Sequence, residues 1–164
     1  MNNNKLSVTT EEIEKELSDF GIMSPEQIVA MTVWSVAKSH SPLIKQMIAG
    51  VIHNRALRNS NEYPYFMKVI STCMDSDLFT CWKNGKFIHD VPIPESSAWS
   101  ECMSIASALF DESYQPPTTA THYVLDHYRC YFGDYDSKQN GVQKMEFVGR
   151  FDNCLFFLDD EWIG

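Results

Sequence analysis

The stretch VWSVAKSHSP, residues 33–42, sets Lys38, His40 and several serines in a short polar break between two apolar runs. A break between packed helices is a good place for a catalytic side chain, yet its centre holds Val36. Other residue types in the chain offer other chemistry. His122, His127 and Cys130 are metal-ligand types close in sequence. On a strand, however, His122 and His127 point to opposite faces, and no second Cys/His pair completes a tetrahedral set. No metal and no cofactor is therefore expected. Cys81, beside Trp82, or Cys130 could pair with a histidine as a thiol nucleophile, but nothing local marks either as activated.

Carboxylates are numerous. Sugar hydrolysis needs an acid held in an apolar pocket to protonate the leaving oxygen. Glu11, Glu12, Glu14, Glu16, Glu101, Asp111 and Glu112 fall on polar helix faces and read as solvated surface. Asp75 and Asp77 flank a loop and remain candidates. Trp82, His122, Tyr123, Tyr128 and Tyr131 crowd expected loops and strands. Sugar rings stack on such faces, although core packing is the commoner use of any single aromatic.

Several helices must position these groups. Residues 1–8 read as a loose tail. Thr9-x-x-Glu12 is a capping-box pattern followed by Ile13, Leu17 and Phe20 at helical spacing, and Gly21 can end that helix. Ser24-Pro25 and Ser41-Pro42 each pair an N-cap with a proline at the first helical position. The helix after Ser41 carries the stripe Leu43, Met47, Val51 beside Ile44, Ile48, Ile52, apolar enough to be central. A shorter apolar segment follows Pro64. Asn84-Gly85 within LFTCWKNGKFIH predicts a type I′ hairpin. Ala98, Cys102, Ile105 and Leu109 mark another helix, with Pro116-Pro117 as its stop. The period then changes to two over residues 121–132, which read as a strand, and residues 146–150 and 154–158 can supply two more. The expectation is an α+β domain over residues 9–164, mostly helical, with a small C-terminal antiparallel β region.

Composition narrows the partners. A hydrophobic content of 44% suits one globular core and argues against disorder. The net charge of −9 supplies no basic patch to displace counterions, so nucleic acid and anionic membranes are not expected partners. Five cysteines without a C-x-x-C pair read as buried thiols of a reducing compartment. The N-terminal residues show no apolar signal core, so a cytoplasmic location is expected, with release to a cell wall needing another factor.

Four segments, taken together, resemble one family. Residues 30–40 lead without a gap into an apolar run ending Asn54-Arg55. Leu78-Phe79-Thr80-Cys81-Trp82 follows, then Ala120-Thr121-His122-Tyr123 after an alanine-containing helix. Val148-Gly149-Arg150 with Phe156-Phe157 closes the series. Over about residues 27–158 their order and spacing are similar to those of the cell wall hydrolase family of the SleB type, named for the spore-cortex-lytic enzyme. That resemblance implies a lysozyme-like helical core, peptidoglycan as substrate, and a groove near Phe79, Trp82, Thr121, His122 and Tyr123. It also implies a catalytic glutamate at the position held here by Val36, and a second family glutamate at His40.

Valine can neither give nor take a proton. General acid–base assistance is worth about 10²–10⁴ in rate, so a groove without it is nearly inert. Two functions are therefore in play. One is a catalytically silent relative that binds a peptidoglycan fragment or a protein partner. The other is an active hydrolase or lytic transglycosylase of the phage-lysin kind, with His40 or Asp77 as a displaced acid.

Overall fold

The computed structural model describes residues 24–90, 92–125 and 145–162. Four helices lie in this part: α1 (Pro25–Ala37), α2 (Pro42–Arg58), α3 (Tyr65–Cys73) and α4 (Ser97–Leu109). Between α3 and α4 lies a hairpin of β1 (Trp82–Lys83) and β2 (Lys86–Phe87). An antiparallel sheet of β3 (His122–Val124), β4 (Met145–Phe151) and β5 (Cys154–Asp159) follows, in the order β3-β5-β4. The chain thus has an α+β fold with a C-terminal β region. The helix expected after Thr9 lies outside the described residues, as does the strand expected beyond Leu125.

The caps act as their residue types dictate. Ser24 Oγ accepts the Gln27 N–H at 3.3 Å while Gln27 Oε1 accepts the Ser24 N–H at 3.0 Å, a reciprocal capping box. Ser41 Oγ caps α2 by accepting from the Ile44 N–H. The polar break is narrower than its composition suggests. The α1 helix runs through Ala37, so Ser35 and Val36 lie in its last turn.

The α2 helix is central: Ile44, Met47, Ile48, Val51 and Ile52 are buried, whereas Leu43, at the start of one expected stripe, is exposed. It packs against α1, α3 and α4, and α1 packs extensively on α4. Two readings of the sequence need correction here. Glu101 is half-buried rather than on a fully solvated face. It accepts from the buried Lys45 Nζ at 2.6 Å, because a buried ammonium requires a partner. And α4 ends at Leu109, well before the prolines. The chain turns at Asp111, whose Oδ1 accepts the N–H and O–H of Ser113 at 2.8 and 2.6 Å. Pro116, Pro117 and Thr118 instead lie against α2 at Gly50. A Cβ there would come within 3.0 Å of Thr118 Cγ2 and 3.2 Å of Pro117 Cδ, so glycine permits the approach.

In the hairpin, Asn84 and Gly85 have φ of 51° and 74°, the left-handed pair that a type I′ turn requires. Trp82 pairs with Phe87 and their rings meet edge to face at 5.2 Å. This anchors the short ribbon on the core, where Trp82 is buried.

Candidate functional site

Helical geometry puts Thr32 and Ser35, three residues apart, on one face of α1. Both meet partners from the hairpin region. Trp82 Nε1–H donates to Thr32 Oγ1 at 2.9 Å. One turn later Ser35 Oγ lies 2.7 Å from His89 Nδ1. Just past the end of β2, the His89 ring lies 6.2 Å from the Phe87 ring that packs on Trp82, while Ile88 between them is exposed. Burial pushes the buried Cys81 thiol upward, away from thiolate. The sequence pointed to Cys81 with a histidine; in the structure the histidine of this hairpin meets Ser35 instead.

A shallow depression of about 280 Å³ opens beside this pair, lined by Trp34, Ser35, Lys38, Ile88, His89 and Asp90. Lys38 Nζ lies over the Trp34 ring, 4.5 Å from its centroid, a cation–π contact. Val36 is not among the lining residues. Successive helical residues turn by about 100°, which sets Val36 roughly 160° around α1 from both Trp34 and Lys38. Its half-buried side chain packs against the core instead.

The candidates drawn from the resemblance scatter between core and surface. Phe79 and Trp82 are buried, and Phe79 stacks on Tyr123 at 6.2 Å. Thr121 is fully buried. His122 and Tyr123 are half-buried. Asp77 is exposed on the loop after α3, where its N–H donates to Asp75 Oδ1 at 3.0 Å. His40 is half-buried just before α2. Neither Asp77 nor His40 lines the depression; the carboxylate that does is Asp90, which is exposed. His127, Cys130, Tyr128 and Tyr131 lie outside the described residues. Among the described residues no three His, Cys, Asp or Glu side chains are grouped to hold a metal ion.

Two of the segments recognised in sequence do meet, through backbone carbonyls. Asn54 Nδ2 donates to the carbonyls of Thr118 and Ala120 at 2.8 and 2.9 Å. Arg55 Nε donates to the Thr121 carbonyl, and its guanidinium stacks 4.5 Å from the Trp162 ring centroid. Asp159 N–H donates to Thr121 Oγ1 at 3.0 Å, and the same hydroxyl lies 2.9 Å from His122 Nδ1. Burial, reinforced by Arg55 and Arg58, lowers His122 to about 4. Burial also lowers Arg55, with Asp75 the largest opposing charge.

The Ser35–His89 pair was not legible beforehand. The two residues are 54 positions apart. Asn84-Gly85 announced a hairpin, but nothing in the local pattern said which helix its return strand would touch.

Compared with known proteins, the chain matches no family model, no curated protein and no solved structure. No helix among the described residues is long and apolar enough to cross a membrane.

Proposed function

We propose that this chain is a cell-wall-hydrolase-like protein of the SleB type that has lost its glycosidic proton donor and acts by binding a peptidoglycan fragment. The observation that carries this reading is Val36. It is an aliphatic side chain in the last turn of α1, packed against the core, at the position where the resemblance expects the acid. The tie between Asn54-Arg55 and Ala120-Thr121-His122 supports the alignment, since segments aligned separately in sequence hold each other in space. The displaced-acid alternative lacks comparable support. A glycosidase acid sits in an apolar pocket open to substrate, whereas Asp77 is an exposed loop residue and His40, half-buried before α2, does not line the depression.

The test is incubation with purified peptidoglycan at high protein concentration, alongside equilibrium binding to soluble muropeptides. Saturable muropeptide binding without released fragments is expected. Fragments released by Val36→Glu would show an intact groove lacking only its acid. Fragments released by the unaltered protein would overturn the silent reading, and absence of muropeptide binding would point to a protein partner instead.

A further inference from the structure

Ser35, His89, Lys38 and Asp90 bring together a hydroxyl, an imidazole, an ammonium and a carboxylate around one depression. Three features distinguish the pair at its centre from an incidental surface contact. The Ser35 Oγ to His89 Nδ1 separation of 2.7 Å is within direct proton-transfer reach. Ser35 is held in place by the last turn of α1. His89 is fixed by the hairpin, whose Ile88 N–H donates to the Cys81 carbonyl at 2.9 Å and whose Phe87 packs on Trp82.

Asp90, the next residue after His89, adds a negative charge to the same depression. Lys38 supplies the positive charge that an oxyanion would need. At about 280 Å³ the depression is at the small end of ligand sites and suits a short acyl group.

From these features we propose that Ser35 is a nucleophile and His89 its general base, forming a site that cleaves short-chain carboxylic esters. The Ser35 O–H adds to the ester carbonyl carbon and its proton passes to His89 Nδ1. The C–O bond to the alcohol then breaks, and the alcohol leaves with that proton. Water attacks the acyl-serine, gives its proton to His89, and Ser35 departs by taking it back. The products are one carboxylic acid and one alcohol, with no oxidant or metal required. This chemistry is separate from glycosidic cleavage and does not depend on the identity of residue 36.

The test has two arms on the full chain. The first is hydrolysis of p-nitrophenyl acetate. The second is labelling with a fluorophosphonate, read by intact mass and peptide mapping. The expected result is a single adduct on Ser35, with ester turnover at least tenfold lower in Ser35→Ala at an unchanged thermal midpoint. Should Ser35→Ala not fold, His89→Gln replaces an exposed ring and is expected to slow both adduct formation and turnover at least tenfold. No adduct, an adduct on another residue, or variant turnover equal to that of the unaltered protein would overturn the proposal.

Discussion

Trp82 donates its indole N–H to Thr32 Oγ1 at 2.9 Å across 50 positions of sequence, with both residues buried. Thr32 Oγ1 in turn donates to the Ile28 carbonyl at 2.7 Å. This bond seats the hairpin on α1, and His89 reaches Ser35 from that seat. A buried indole N–H left without its acceptor costs about 1–3 kcal/mol. Thr32→Val is therefore expected to destabilise by that amount. A double-mutant cycle with Trp82→Phe should show coupling of about 1 kcal/mol in chemical denaturation. Additive losses would mean the bond contributes nothing.

Arg55 joins α2 to the β region by bonding the Thr121 carbonyl and covering Trp162. It is buried, so truncation removes both a charged hydrogen bond and packed surface. Arg55→Ala should cost about 2–4 kcal/mol. Arg55→Lys should recover only part of that, since an ammonium cannot both stack flat on an indole and keep the same bond direction. Equal stability of the lysine variant and the unaltered protein would contradict this geometry.

His122 makes stability depend on pH. Its folded value of about 4 lies below the ordinary 6.5, so the unfolded chain binds more protons between the two. The contribution is fully present above 6.5 and is lost as pH falls toward 4. Because the ring is half-exposed, the effect is discounted to on the order of 1 kcal/mol. Urea midpoints at pH 7 and 4.5 should differ less in His122→Gln than in the unaltered protein. An identical difference in both would exclude His122 as the source.

Gly50 tests the contact that fixes the segment leading to Thr121. In an open helix, Gly→Ala gains about 1 kcal/mol from propensity. Here the added methyl would press on Thr118 and Pro117, and overpacking costs about 1–3 kcal/mol. Gly50→Ala is expected to be net destabilising, with a lower thermal midpoint. A raised midpoint would show that the proline segment yields easily.

Local signals in the sequence proved sufficient wherever the physics is local. The Ser-Pro starts at Ser24 and Ser41 depend on bonds three residues away, and the Asn84-Gly85 turn depends on two backbone angles. The strands at Met145–Phe151 and Cys154–Asp159 fall where the sequence offers short apolar and aromatic runs. The end of α4 was misplaced because a proline pair is a louder signal than an Asp111–Ser113 turn, although the turn comes first. Glu101 was misjudged because its partner, Lys45, is 56 positions away.

The amino-acid sequence by itself determined the α+β class, the central apolar helix and the absence of an ionisable group at residue 36. Each of these follows from residue type and short-range spacing. Only the tertiary structure decided that Val36 turns away from the depression beside it, that Ser35 meets His89, and that Arg55 binds Thr121. Those relationships depend on how distant elements pack, and packing is settled by the fit of whole surfaces, which no short stretch encodes.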